Sequence, residues 1–297
     1  MGRIAVVLYS YAGNTTRQRL LSSLCYKAVS QLPDVAVYVT VGPSNLPPPA
    51  SCYEPLRIDV PTGYEYLPDK TLEVLRWFST HTTYDYLLKC DDDVILDPSA
   101  VAYLTRESAL APYQGVDVKT FPADAKTMNW HRGKCQSPVL NSNDTTTDWV
   151  PPGFAFALGT CYMISRAAAQ EALAECDSSG LDLHYARSRL DCRAVGCEDM
   201  LVASLLAKRA IFPTHSLRIM YANHPGQLLN HYRYELFRRA TSRGSRQLCV
   251  GVCIPNRAPS AIERPLLRMW PMLSRMVPFP AGRGTSSGSP PDSMPSL

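Results

Sequence analysis

No apolar run in this sequence approaches the length needed to cross a bilayer. No Lys/Arg cluster is dense enough to track a nucleic-acid backbone, and the formal net charge of +4 is small for 297 residues. The N-terminus carries no signal-peptide pattern, because strand-like sequence starts at once with Arg3-Ile4-Ala5-Val6-Val7-Leu8-Tyr9. Gly2 follows the first Met, but Val6 stands where a myristoylation signal needs Ser or Thr. No internal repeat is visible. Neither Cys249-x-x-x-Cys253 nor Cys192…Cys197 gives a zinc pattern. As written, the expectation is a soluble, unsecreted chain. The 10 cysteines then read as mostly free thiols, with one or two disulfides if the chain is exported, since a disulfide framework needs an oxidising compartment.

What is present is a core. Hydrophobic residues make up 45%, enough for one large domain or two small ones. Arg3 to Tyr9 predicts a buried strand. Asn14 or Thr15 then caps a helix to about Gln31, with Leu20, Leu21, Leu24 and Ala28 at helical spacing. Val35 to Val41 and Leu56 to Val60 predict further strands, separated by Pro-rich sequence. Leu67 to Ser79 predicts a helix, Tyr86 to Cys90 a strand, and Asp97 or Ser99 caps a helix from Ala100. This alternation argues for an α/β fold with a mostly parallel sheet. In such sheets ligands sit beyond the carboxyl ends of the strands, where both Tyr9-Ser10 and Asp91-Asp92-Asp93 fall. The second half is less regular. Lys126 to Val150 reads as a long polar loop, Arg166 to Glu175 and Glu198 to Lys208 as helices, and Ile211-Phe212 as a short strand.

The stretch "YDYLLKCDDDVILDP" (Tyr84 to Pro98) puts three carboxylates at the end of an apolar run and resumes with Val94-Ile95-Leu96. Like charges crowded at a buried element need a cationic answer. A hard divalent cation is one, held by carboxylate oxygens with water and substrate phosphates completing its shell. A solvated turn capping the next helix is the bland alternative. An aspartyl phosphatase also wants Asp-x-Asp at a strand end, but on its first strand, and Ile95 stands at that motif's fifth position.

Several segments resemble the β1,3-galactosyltransferase-like family of inverting glycosyltransferases. The resemblance lies in Asp59/Tyr64, Leu67, Lys70-Thr71, Trp77 and Lys89-Cys90-Asp91-Asp92-Asp93-Val94. It continues in "YQGVDVK", "WVPPGFAFALGTCYMISRAA" and "GCEDMLVASLL". The motifs run in order from about residue 3 to 230. Tyr66, Cys161 and Ala203 replace the family's Asn and two Gly residues.

The resemblance implies a GT-A (Rossmann-like) fold, expected over residues 1–258; the sequence itself predicts a helical or extended segment packing on it at 259–280 and, from its Gly, Ser and Pro content, a disordered tail at 281–297. The resemblance also implies a UDP-sugar donor, a glycan acceptor, and Mn²⁺ or Mg²⁺ as cofactor. Asp91 and Asp93 would hold the metal, with Asp92 close by and His224 as a third ligand. Asp199 would be the base, with Glu198 second. Tyr9, Ser10, Arg17, Asp59 and Lys70 are candidate donor contacts, along with Asp91 and Asp92. Lys70 and Lys89 are alternatives for supporting the donor, and Lys89 can instead pair with the triplet. The segment Ile262 to Phe279 could also touch a membrane surface or partner. The expected location is cytoplasmic as written, in a viral or microbial setting, or the Golgi lumen if this is a trimmed piece of a longer chain. The competing expectations are a non-catalytic carbohydrate- or cation-binding module and a metal-dependent phosphoryl hydrolase.

Overall fold

A computed structural model of the chain describes residues 2–10, 24–42, 53–61, 63–107, 110–120, 127–128, 132–142, 145–146, 155–179, 198–221, 227 and 248–253. In chain order the first elements are β1 (Ile4–Tyr9), α1 (Leu24–Ser30), β2 (Val35–Val41) and β3 (Glu54–Arg57). A single 3-10 turn (Tyr64–Tyr66) runs into α2 (Leu67–His81), followed by β4 (Tyr86–Asp91), β5 (Val94–Leu96) and α3 (Pro98–Arg106). Then come β6 (Tyr113–Gly115), β7 (Lys119–Thr120), β8 (Thr127–Met128), α4 (Pro138–Ser142), β9 (Thr145–Thr146) and β10 (Ala155–Phe156). The last are β11 (Cys161–Ser165), α5 (Arg166–Ser178), α6 (Glu198–Ala207), β12 (Leu217–Tyr221) and β13 (Leu248–Cys253).

The centre is a six-stranded sheet in the order β3-β2-β1-β4-β11-β6. Strands β3, β2, β1 and β4 run parallel, while β11 and β6 join antiparallel. Every residue of β1 is buried, as expected for a parallel strand covered on both faces. Its side chains alternate between two cores. Ala5, Val7 and Tyr9 face Val74, Leu75 and Phe78 of α2, Ala168 and Ala172 of α5, and Met200 and Leu201 of α6. Ile4, Val6 and Leu8 face Tyr26 and Val29 of α1 and Ala100, Val101 and Leu104 of α3. The second core also packs against a three-stranded sheet, β12-β13-β5. There Gly251 is required, because a Cβ on it would lie 2.4 Å from the Ile95 carbonyl oxygen.

The mixed α/β architecture with a mostly parallel central sheet agrees with the sequence reading. The third strand lies at Glu54–Arg57 and not at Leu56 to Val60, because its pairing with β2 ends at Val41–Arg57. Asp97 is the cap of α3: its carboxylate accepts from the Ser99 amide at 2.9 Å. Ile211-Phe212 is not a strand, and Phe212 is 55% exposed. The strand in that region is β12, whose Leu217 and Ile219 enter the second core. Within the expected loop from Lys126 to Val150, β8 pairs with β9 and α4 forms a short helix. Residues 259–280 and 281–297 lie outside the described residues, as does the first part of the helix expected from Asn14. Among the described residues, no helix is long and apolar enough to cross a membrane.

Candidate functional site

β1 and β4 end side by side, with Tyr9 in register with Asp91. Asp92 and Asp93 form the turn between β4 and β5, so the triplet sits at the carboxyl edge of the parallel strands. That edge opens into a cavity of about 430 Å³. One side is made by Tyr9, Ser10 and the three aspartates, and Lys70 of α2 enters from another. Gly63, Tyr64 and Leu67 line it together with Lys134 and Gln136, and Glu198 at the start of α6 completes it. The Lys134 ammonium lies 5.0 Å from the centre of the Tyr64 ring, and the Gln136 amide donates to Glu65 at 3.2 Å. These two contacts tie the Lys134–Gln136 segment to the 3-10 turn.

Each aspartate of the triplet has a protein partner. Lys89 Nζ lies 2.7 Å from Asp91 Oδ1, Ser10 Oγ donates to Asp92 Oδ2 at 2.8 Å, and Cys253 Sγ donates to Asp93 Oδ1 at 3.5 Å. Asp92 is buried, whereas the Asp91 side chain is 41% exposed and open to the cavity. Lys89 itself is fully buried. It also pairs with Glu198 Oε1 at 3.2 Å, donates to the Gly159 carbonyl, and lies 4.6 Å from the Tyr9 ring centre. Burial alone would push its ammonium down, but Asp91 and then Glu198 hold it well above the usual lysine value. Lys89 thus ties the carboxyl end of β4 to the start of α6.

Gly159 belongs to the same knot. A Cβ there would lie 2.4 Å from Glu198 Oε1, so a side chain in the turn before β11 would displace the Glu198 carboxylate from its place beside Lys89. Its amide donates to Asp199 Oδ2 at 3.0 Å, and the Met200 amide donates to Asp199 Oδ1 at 2.8 Å. Asp199 is buried, and burial and then the Glu198 charge raise its carboxyl to about 7, against the two amides and Lys89. A carboxyl poised near neutrality is what general base chemistry asks for. Lys70 is buried beside the end of β1 and donates to the Ser10 carbonyl at 3.3 Å. Burial, reinforced by Lys89, lowers its ammonium to about 8.

The fold therefore brings together Tyr9, Ser10, Lys70, Asp91, Asp92, Asp93 and Glu198, with Asp199 directly behind the Gly159 turn. Asp59 is exposed and is not among the residues that line the cavity. Arg17 and His224 lie outside the described residues. Among the described residues, no group of three or more His, Cys, Asp or Glu side chains is arranged to hold a metal ion. Tyr64, named in the sequence only as a motif match, also lines the cavity, and Lys134 and Gln136 are lining residues that the sequence reading missed. The polar loop carrying Lys134 and Gln136 gives no periodic signal, and only its length marks it as functional.

Comparison with known proteins gives a family-model match over part of the chain and likenesses to solved structures. No curated protein matches the chain. A crystal structure of 2-C-methyl-D-erythritol 4-phosphate cytidylyltransferase from Thermus thermophilus is 14% identical, with a TM-score of 0.39. That match covers 72% of this chain and 88% of that one. Residues 54–185 hold Lys70, Lys89, the acidic triplet and Gly159, and they match the family model described as Galactosyltransferase, the β1,3-galactosyltransferase-like family that the motifs resemble.

Proposed function

We propose that this chain is a metal-dependent inverting glycosyltransferase of the GT-A type. It moves a sugar, galactose, N-acetylglucosamine or similar, from a UDP-sugar to a hydroxyl of a glycan acceptor. The observation that carries this reading is a convergence. One cavity collects the acidic turn after β4, a buried lysine from α2 and Glu198 at the start of α6, with Asp199 next to it behind the Gly159 turn. The Galactosyltransferase match over residues 54–185 supports the same reaction class.

The donor set suits a hard cation that keeps water and phosphate ligands: carboxylate oxygens at a cavity rim, with Asp91 open to it. Asp91 and Asp93 would hold Mn²⁺ or Mg²⁺, with Asp92 anchored behind them by Ser10, and His224 remains the proposed further ligand. Such a cation offsets charge on the departing nucleotide. Lys70, beside Ser10 in the same cavity, would supply a second positive charge to the diphosphate. Inversion takes one in-line displacement. The acceptor oxygen bonds to the anomeric carbon as the bond to the diphosphate breaks, and the hydroxyl proton passes to Asp199. With its carboxyl near 7, Asp199 is ionised in a large fraction of molecules at neutral pH and still basic enough to accept. Glu198, paired with Lys89, fixes the start of α6 beside it.

A second reading makes Glu198 the base, because Glu198 lines the cavity and Asp199 does not. Release of UDP from UDP-sugars in Mn²⁺ tests both. EDTA and Asp93→Ala are each expected to abolish release, and turnover that survives metal removal sinks the metal reading. Asp199→Asn is expected to lower kcat by about 10²–10⁴ with donor binding kept. If Glu198→Gln does this and Asp199→Asn does not, the roles are reversed. Hydrolysis of a simple phosphate ester without any sugar nucleotide would favour a phosphoryl hydrolase instead.

A further inference from the structure

We propose that Cys90 and Cys161 are an oxidisable pair that closes into a disulfide across β4 and β11, stapling the strand that carries the acidic triplet to the Gly159 turn. The two residues stand directly opposite each other in the antiparallel ladder, with Sγ atoms 3.4 Å apart. Both are fully buried free thiols. Their place in the ladder is the one that permits a bridge. Asp91, the next residue, donates its amide to the Thr160 carbonyl opposite at 3.0 Å. Antiparallel pairs alternate, so Cys90 and Cys161 form the close, non-hydrogen-bonded pair, with Cα atoms near 4.5 Å. That separation falls within the range of roughly 4.4–6.8 Å that a disulfide spans. The backbone of Cys161 agrees: its amide goes to Leu158 and its carbonyl accepts from Val116, both away from β4. No ladder bond has to break for the sulfurs to meet.

In the step itself, two S–H bonds break and one S–S bond forms. Two electrons and two protons pass to a small-molecule disulfide such as oxidised glutathione, which leaves as two thiols. Because the pair is fully buried, the oxidant reaches it while β4 and β11 are apart, during folding or local opening. The bridge would lie one residue before Asp91 and two after Gly159, so the oxidised chain holds both halves of the carboxylate site in one covalent frame. The bond closes a loop of some seventy residues, which constrains the unfolded chain strongly. The melting midpoint is expected to rise on the order of 10 °C.

The test uses the full chain, refolded in a glutathione buffer that is either oxidising or reducing. Free thiols are alkylated after denaturation and the peptides mapped by mass. The expected result is a cross-linked peptide pair containing Cys90 and Cys161 in the oxidised sample only, lighter by two hydrogens than the two free peptides. The higher midpoint should vanish on reduction and be absent from Cys161→Ser. Cys161→Ala, which keeps an apolar side chain in the core, serves as the second variant if Ser prevents folding. Complete alkylation of both thiols after oxidative refolding overturns the proposal. So does a map that joins either cysteine to a different partner, or a midpoint unchanged by oxidation. None of these readouts depends on sugar transfer, so the outcome stands apart from the proposed reaction.

Discussion

Lys70 lines the cavity and Lys89 does not; both are buried, and their surroundings push them in opposite directions. Lys89, on β4, has carboxylates at 2.7 and 3.2 Å and a carbonyl besides. Lys70, on α2, has its hydrogen bond to the Ser10 carbonyl, and its nearest strong influences are lost water and the Lys89 charge. One cation is already answered by the protein, and the other is held ready for an anion. The lesson is that burial of a lysine does not say what it is for. Only the charge it meets does. Lys89 is a structural hub between two acidic segments, and Lys70 faces the cavity.

The comparison breaks most visibly if Lys89 loses its charge. Lys89→Met leaves Asp91 and Glu198 facing each other without their cation, Glu198 being buried. The expected loss is about 3–5 kcal/mol of folding stability, the usual cost of removing one partner from a buried pair. Chemical denaturation at neutral pH measures it. A loss below about 1 kcal/mol would mean that the pair is no more than a surface contact.

Lys70→Met should do the opposite. The folded value near 8 lies below the ordinary lysine value of 10.5, so keeping Lys70 charged in the fold is unfavourable at neutral pH. That penalty is complete below about pH 8. It fades as the pH climbs to the unfolded value, because above that both states are neutral. The variant should therefore be more stable than the parent by about 1–3 kcal/mol near pH 7, and by almost nothing above pH 10.5. It should also lose UDP binding. A variant less stable at pH 7 would show that Lys70 is structural, like Lys89.

Much of this frame was legible in sequence. The apolar run Ile4 to Tyr9 reads as a central strand because a buried parallel strand has no polar side to show. The triplet lands at the sheet edge because the strand before it is short and apolar, and Glu198-Asp199 open a helix with a continuous apolar run behind them. What could not be read is pairing across distance. Lys89 meets Glu198 over a separation of 109 residues, and nothing local to either signals the other. Gly159 looks like any loop glycine until Glu198 is seen where its side chain would go. Asp59 is the reverse case. It sits in a matching motif position, yet its residue is exposed and is not among those lining the cavity. Sequence points too early for strand β12 because Ile211-Phe212 is locally the more apolar pair, while the pairing that makes a strand comes from β13.

The smallest effect separates the two lysines most cleanly, since it needs no mutation to appear. If Lys70 must be protonated to hold a diphosphate, binding draws on the protonated fraction of the free protein. With a value near 8, that fraction falls about threefold between roughly pH 7.5 and 8.5, and UDP affinity should fall with it. Lys89 cannot cause this slope, because Asp91 and Glu198 hold it charged far above that range. Asp199, about three-quarters ionised at the lower end, changes its charge by about a fifth over the same interval, less than half the change in Lys70. Calorimetric titration of UDP across these pH values should show the decline, together with proton uptake on binding that grows as the pH passes 8. Lys70→Arg, which stays charged, should flatten the slope. A flat profile in the parent protein would mean that Lys70 does not meet the phosphates, and the two lysines would then differ in environment but not in role.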